Sequence, residues 1–330
     1  MLKEIIEAIK KHDSFALATH YNPDGDGAGS LVALASFLKD LGKKVYAYYP
    51  GHLVSTYDFL NDGGDIEHYE TAKDADAKIA EVEVVILLDA NEWSRTEQME
   101  GPLRKSPGLK MVIDHHPIEE SEFDVTWVDT SAASVGELIF HLIQEMGGVV
   151  TPKIGAAIYI TILTDTGSFR FSNTTARTHR IAAQLIEAGV TPSLLYQKVY
   201  ERNPVEKIHL LGHCLANINM ACDNQVAWIS VSLETLKQLN AKDWMLDGVV
   251  EVVRTITEVE ATLLLKEVDA ETVKVSLRSR GWLDVNAIAR SLGGGGHPRA
   301  SGCKLNMTLD EAEVVIVQKV EEALREAPES

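Results

Sequence analysis

The sequence predicts an α/β protein with two parts: an N-terminal doubly wound parallel sheet, then a smaller C-terminal α/β domain with a cleft between them. Three observations predict it. Strand-length apolar runs alternate with longer segments of helical period through the first half. Runs such as EVVILLD (83–89) and LKMVID (109–114) are apolar nearly throughout, as strands covered on both faces are. Beyond residue 204 the alternation gives way to strands that follow one another, with helices around them.

The elements follow in order. MLKEIIEAIKKH is apolar at positions 2, 5, 6 and 9 and carries acidic residues, which makes it an amphipathic helix and not a leader peptide. A strand is expected over 15–19, a helix over 28–41 closed by Gly42, and strands over 44–48, 83–89 and 109–114. Helices are expected over 134–146, 153–163, 176–188 and 193–200. The turn at 189–192 and the segment ERNP (201–204) mark a boundary. This gives a first domain over 1–190, a linker over 191–205 and a second domain over 206–330. In the second domain strands are expected over 225–231, 257–268 and 272–278, with helices over 235–240, 249–255, 285–292 and 309–327. The four glycines at 293–296 read as a local loop.

Composition narrows the function. Apolar residues make up 45% of the 330 and charged residues 24%, enough for a sizeable core. The net charge of −18 works against binding long nucleic acids, which are held chiefly by Lys and Arg. A phosphorylated substrate must therefore be small, or be held by metal ions and a local group of arginines. Cys214, Cys222 and Cys303 are odd in number and lack CxxC spacing, so reduced thiols and a cytoplasmic location are expected. No apolar run reaches about 18 residues, and no membrane association is expected.

Three apolar runs end in metal-ligand residue types. The run at 15–19 leads into HYNPDGDGAGS (20–30), with His20, Asp24 and Asp26. The run at 83–88 stops at Asp89, and that at 109–113 at Asp114-His115-His116. A fourth loop, TDTGS (164–168), adds Asp165. In a doubly wound sheet, ligands gather at the carboxyl ends of the strands. Singly, each such aspartate reads first as a helix N-cap. Together, four carboxylates in one crevice would repel or protonate unless cations balanced them. Two divalent ions balance Asp24, Asp26, Asp89 and Asp165, and His20 and His115 supply neutral nitrogen. That mixture suits Mn²⁺, Fe²⁺, Co²⁺ or Zn²⁺. Two such ions about 3.5–4 Å apart can clamp a phosphoryl group during in-line displacement. The glycines, with Pro23, would fold the loop tightly, and Gly27 and Gly29 would let the next helix start close to the ions. Reading GDGAG as a dinucleotide-binding loop fails, because Asp24 and Asp26 would face a pyrophosphate.

The motifs HYNPDGDGAGS, LLD at 87–89, DHHP at 114–117 and TDTGSF at 164–169 resemble the ordered motifs of the DHH phosphoesterases. GGGGHPRASG (293–302) resembles the glycine–histidine signature of the accompanying DHHA1 domain. The resemblance covers residues 1 to about 190 and about 205 to 330. Among subfamilies it points to the stand-alone bacterial oligoribonucleases that are also pAp phosphatases. It implies two divalent ions, with manganese expected and magnesium or cobalt as alternatives. His20, Asp24 and Asp89 would hold one ion, and Asp26, Asp89, His115 and Asp165 the other. A bridging hydroxide would be the nucleophile. Asp114 would orient the adjacent imidazole, and His116 would face the scissile phosphate or the leaving oxygen.

In the second domain Ser276, Arg278, Ser279, Arg280, Asn286, His297 and Arg299 form a local polar and basic group. With Gly295 and Gly296 offering backbone N–H groups, Arg278, Ser279, His297 and Arg299 are expected to grip the nucleotide. Phe169, Arg170 and Phe171 could line the cleft, although Phe-x-Phe also reads as core packing. The resemblance implies hydrolysis of short RNA, of about two to five nucleotides, to nucleoside 5′-monophosphates, the cleft between the domains limiting substrate length. Dephosphorylation of pAp is expected beside it. The alternative is a phosphodiesterase for c-di-AMP, pApA or related cyclic or linear dinucleotides. A pyrophosphatase is disfavoured by the GGGGH segment, and a dead nucleotide sensor by the full ligand set. A homodimer is implied by the resemblance alone.

Overall fold

The structure, a computed structural model, describes residues 1–325. The chain divides into two compact units, Met1–Arg202 and Asn203–Ser330.

The first unit runs α1 (Leu2–Lys11), β1 (Ser14–Thr19), α2 (Gly25–Asp40), β2 (Lys44–Tyr49), β3 (Glu67–His68), α3 (Ala75–Glu81), β4 (Val84–Leu88), α4 (Glu100–Lys105), β5 (Leu109–Asp114), β6 (Val125–Val128), α5 (Val135–Glu145), α6 (Pro152–Asp165), α7 (Ala176–Glu187) and α8 (Pro192–Tyr200). Its sheet has the order β3-β2-β1-β4-β5-β6, and each pairing is parallel. Parallel strands need crossovers, and the helices that supply them bury both faces. Phe15, Leu17, Ile86, Leu88 and Ile113 pack under α2, α5 and α6. Ala16, Ala18, Val85, Leu87 and Val112 face the other way, toward Ile79, Trp93 and Leu103. Helix α2 is buried from Gly25 to Leu38, which explains its nearly uninterrupted apolar sequence. It ends where Gly42 takes φ +79°, with the Gly42 N–H donating to Lys39 O.

The strand order reverses between β1 and β4, so the crevice beyond their carboxyl ends is the topological switch point. His20 follows β1 directly, and Asp89 follows β4 directly.

The second unit runs α9 (Val205–Ala216), β7 (Asn219–Ala221), β8 (Val226–Val231), α10 (Leu233–Gln238), α11 (Val249–Val253), β9 (Ala261–Asp269), β10 (Thr272–Ser279), α12 (Val285–Ser291), β11 (Gly295–His297), β12 (Ala300–Leu305) and α13 (Leu309–Arg325). Its sheet is mixed, in the order β11-β12-β10-β9-β8-β7, with only β8 and β9 parallel. One face packs on α12 and α13 through Val273, Val275, Leu277, Ile288 and Ile316. The other packs on α9, α10 and α11 through Ile229, Leu264, Leu210 and Val250.

Several expected elements differ. The strand expected over 257–268 begins at Ala261, because residues 257–260 form a turn whose Glu260 carboxylate accepts the N–H groups of Gly281, Trp282 and Leu283. The four glycines are not one loop. Gly293, at φ +77°, closes α12, and Gly295 and Gly296 belong to β11. The last two residues of the helix expected over 309–327 lie outside the described residues. All three cysteines are free. Among the described residues, no helix is long and apolar enough to cross a membrane.

Candidate metal centre

Each functional side chain owes its place to a strand or helix end. Past β1, Asp24 caps α2 by accepting the N–H groups of Asp26 (2.9 Å) and Gly27 (3.1 Å) with Oδ1. The same oxygen is the one that faces His20 Nε2, so Asp24 caps the helix and borders the site at once. Asp26 stands in the first turn of the helix and is fully buried. Its carboxylate accepts from Val135 N (2.8 Å), Gly136 N (3.3 Å) and Ser30 Oγ (3.1 Å), so it rests on the N-terminus of α5. Past β4, Asp89 has φ +57°, a left-handed conformation that costs a non-glycine residue about 1–3 kcal/mol and clusters at functional sites. Asp165 is the last residue of α6 and not in the loop expected over 164–168; the helix expected over 153–163 runs on to include it.

The two inner imidazoles are held alike. His20 Nδ1 donates to Tyr21 O (3.0 Å) and His115 Nδ1 to Ala132 O (3.2 Å). Both donations leave Nε2, the ligating nitrogen, aimed at carboxylates. His20 Nε2 lies 3.5 Å from Asp89 Oδ2 and 3.8 Å from Asp24 Oδ1. His115 Nε2 lies 3.3 Å from Asp165 Oδ2, 3.5 Å from Asp26 Oδ2 and 3.7 Å from Asp89 Oδ1. The expected ligand atoms therefore form two groups, His20–Asp24–Asp89 and Asp26–His115–Asp165, each spanning no more than 4.8 Å. Asp89 belongs to the first and approaches the second through His115, and it also gathers with Asp114, His115 and His116 within the same span.

Asp114 behaves differently from expectation. Its Oδ1 accepts the N–H groups of His115 (2.7 Å) and His116 (3.2 Å), and the ring it binds is that of His116, Nδ1 to Oδ1 at 2.9 Å. The His115 ring turns away to Ala132. His116 is half exposed, and its Nε2 is left for a ligand.

The residues fit divalent cations. Asp89 Oδ1, Asp114 Oδ2 and His115 Nε2 are buried without a hydrogen-bond partner. Native proteins rarely leave such groups unsatisfied. The charges agree. Burial would lower the His20 imidazole, but Asp24 and Asp89 bring it up to about 10. Burial likewise opposes the rise of His115, which Asp165 and Asp89 carry to about 9. Burial pushes the Asp89 carboxyl up to about 6, and burial with Asp89 and Asp165 raises Asp26 well above the carboxylate range. Without cations, the cluster takes up protons instead.

Glycine contacts sharpen the loop's reading. A Cβ on Gly27 would lie 2.7 Å from Thr19 Oγ1 and 3.1 Å from His20 Nε2, so this glycine makes room for a ligand. A Cβ on Gly29 would instead meet Ala157 O and Thr161 Cγ2 at 2.7 Å. Gly29 thus serves the packing of α2 on α6 and not the ions. Phe169 also packs, stacked on His179 at 5.2 Å and edge-on to Tyr159, whereas Phe171 is exposed.

In the second unit, the pairing of β10, β12 and β11 places Arg278 opposite Ala300, Gly302 opposite Gly295, and Ala300 opposite His297. Paired residues share a face, so Arg278, His297 and Gly295 share one, with Ser276 and Gly302 between them. Arg278 Nε lies 3.4 Å from Glu251 Oε1. Ser279, next along the strand, points the opposite way, is buried, and its hydroxyl is unpartnered. A Cβ on Gly296, which has φ +146°, would lie 2.7 Å from Ser301 Cα, so the tight hairpin needs this glycine. Arg299 is exposed in the turn, and its carbonyl accepts from Ser279 N.

Sequence reasoning missed the supports. Asn91 Nδ2 donates to His116 O and Pro117 O, both at 3.2 Å. Asn173 Nδ2 donates to Asp165 O (3.0 Å) and Ala133 O (3.2 Å). Asn91 stands two residues past Asp89, a signal that could have been used. The backbone acceptors Tyr21 O and Ala132 O leave none.

Residues 14–163 match the DHH family, N-terminal domain, and residues 223–327 the DHHA1 domain. The chain belongs to the DHH/DHHA1 phosphoesterases. It is 31% identical over 321 residues, 96% of each chain, to the bifunctional oligoribonuclease and PAP phosphatase NrnA of Bacillus subtilis. The protein of that name from Thermus thermophilus is 31% identical over 99% of this chain and 94% of its own. Among solved structures, an exopolyphosphatase-related protein of Bacteroides fragilis aligns with a TM-score of 0.89 and 30% identity, over 97% of this chain and 95% of that one.

Proposed function

We propose that the protein hydrolyses short oligoribonucleotides to nucleoside 5′-monophosphates and dephosphorylates pAp, using two divalent ions, manganese above all. The observation that carries this is the pair of ligand groups His20–Asp24–Asp89 and Asp26–His115–Asp165, with Asp89 Oδ1 of the first 3.7 Å from His115 Nε2 of the second and both atoms buried and unsatisfied. The near-full-length likeness to the two NrnA proteins supports the substrate class. Mixed imidazole and carboxylate donors support manganese over magnesium.

His20, Asp24 and Asp89 would hold one ion, and Asp26, His115 and Asp165, with Asp89 beside them, would hold the other. The bound ions supply Lewis-acid activation of water and of the phosphoryl oxygens. The chain's own groups do the rest. The carbonyls of Tyr21 and Ala132 fix the ligating tautomers of His20 and His115. Asp114, hydrogen-bonded to His116, raises that imidazole above its usual range and holds its outer Nε2–H ready to donate to the leaving oxygen. Arg278, His297 and Arg299 of the second unit bind the substrate through a phosphate or base.

A substrate panel tests the proposal: RNA of increasing length from the dinucleotide, pAp, pApA and c-di-AMP, each with Mn²⁺. Release of AMP from short RNA and from pAp is expected, with rates falling as RNA lengthens. Turnover of c-di-AMP alone would replace this substrate assignment, and turnover of none would end it.

A further inference from the structure

We propose that Arg177 is a positioning residue of the metal centre, acting as a clamp on the segment 129–137, which holds one of the two ion sites in shape. The proposal rests on the reading of the cluster as a metal site.

The segment offers no ligand to either ion, yet it holds Asp26 and His115 directly and reaches Asp165 through Asn173. Its Ala132 carbonyl holds His115 Nδ1. Its Val135 and Gly136 N–H groups hold the Asp26 carboxylate. Its Ala133 carbonyl shares the Asn173 amide with the carbonyl of Asp165. Asp129 N donates to Asp114 O at 3.1 Å. Asp26, His115 and Asp165 are one ligand group, and none of these contacts reaches His20 or Asp24, which belong to the other.

Arg177 grips this segment at both ends. Its Nε lies 2.9 Å from Glu137 Oε2, in the first turn of α5, and its Nη1 lies 3.2 Å from Asp129 Oδ2, just past β6. Glu137 is fully buried, and it directly follows Gly136, whose N–H holds Asp26. A buried carboxylate so close to an anionic ligand site requires a paired cation. The placement of Arg177 also disfavours its own helix. It is the second residue of α7, where a cation opposes the helix dipole, and no acidic residue stands in that turn. A planar, forked guanidinium can hold two carboxylates at once, which an ammonium group does less well.

The test measures Mn²⁺ binding to the full chain by the electron paramagnetic resonance of free Mn²⁺, beside thermal unfolding of the metal-free protein. Arg177→Met is combined with Asp24→Asn, which spares the Asp26–His115–Asp165 site, and with Asp26→Asn, which spares the other. With Asp24→Asn, Arg177→Met is expected to weaken Mn²⁺ binding by about 10- to 100-fold, the usual effect of losing an outer support. With Asp26→Asn it should change binding less than about twofold, since none of the clamped contacts reaches that site. Adding Glu137→Gln, which removes the charge Arg177 neutralises, should recover part of the loss. Arg177→Lys keeps the charge and tests the fork if the methionine variant fails to fold; the same selective weakening is expected. Equal weakening at both sites, or a lowered melting temperature with Mn²⁺ binding intact, would show a merely structural ion pair and overturn the clamp. A wild-type chain that binds no Mn²⁺ would instead overturn the metal reading beneath it.

Discussion

Gly27→Ala and Gly29→Ala make the same chemical change two residues apart on α2, and the structure predicts opposite outcomes. At Gly29 the new methyl meets Ala157 O at 2.7 Å, a main-chain atom of α6 that yields little, and Thr161 Cγ2 at the same distance. Overpacking of this kind costs about 1–3 kcal/mol. The gain in helix propensity from Gly to Ala returns about 1 kcal/mol. At the upper end the net is about 2 kcal/mol. In a unit of this size each kcal/mol moves the melting temperature by about 2–4 °C, so a fall of about 4–8 °C is expected. At Gly27 the nearest atom is the Thr19 hydroxyl oxygen, 2.7 Å away and unpartnered, so the Thr19 side chain must shift without losing a hydrogen bond. The next is His20 Nε2 at 3.1 Å, which must retreat slightly from its ligating position. Stability should hold within about 2 °C, because propensity offsets the strain. Mn²⁺ affinity should fall about tenfold, as when a ligand's support is lost. Differential scanning fluorimetry of the metal-free proteins and Mn²⁺ titration read the two effects separately. The reasoning is refuted if Gly27→Ala binds Mn²⁺ like the wild type, or if Gly29→Ala loses as much affinity.

Metal binding should release protons. His20 and His115 stand near 10 and 9 in the metal-free centre, so both are protonated at neutral pH and must deprotonate to ligate. Raised values mean protons compete more strongly as pH falls, so Mn²⁺ affinity should climb from about pH 6 to about pH 9; calorimetry in buffers of different ionisation enthalpy checks the release, and an affinity flat across that range would count against it. His116→Gln keeps a donor near the scissile bond but loses the Asp114-supported imidazolium, so kcat on short RNA should fall by about 10²–10⁴ with Mn²⁺ stoichiometry unchanged. Arg278→Ala should raise KM for short RNA about tenfold or more and leave Mn²⁺ affinity alone, the loss of a charge-assisted contact to phosphate. Equal damage to both would remove Arg278 from the substrate.

The sequence exposes those parts of the fold that local chemistry controls. The strand expected over 109–114 is β5 at Leu109–Asp114, because an apolar run ends abruptly in a polar triplet. The short strands β3, β6, β7 and β11 escape, since two to four residues carry no period to detect, and the longer β12 and α9 are not expected either. The strand-end ligands are legible because Asp and His gathered at carboxyl strand ends are unusual chemistry. Their supports are not, because His115 is oriented by a backbone carbonyl 17 positions away and Asp26 by N–H groups 109 and 110 residues later. Charge alone is equally blind to direction in the second unit. Arg278 and Ser279 are neighbours in sequence, yet the alternation of β10 sends them to opposite faces. Ser279 shares the face of Leu277, which packs on α12 and α13, while Arg278 turns to the face where Glu251 waits.

The most direct test of the central claim is the rate of AMP release from an RNA dinucleotide, measured as Mn²⁺ is added back to metal-free protein. Two ligand groups, with Asp89 in one and 3.7 Å from His115 of the other, predict negligible release until the second equivalent of Mn²⁺ is bound, full rate at two per chain, and none at any Mn²⁺ level in Asp89→Asn. Full turnover in chelator, at one equivalent, or in Asp89→Asn would contradict the account.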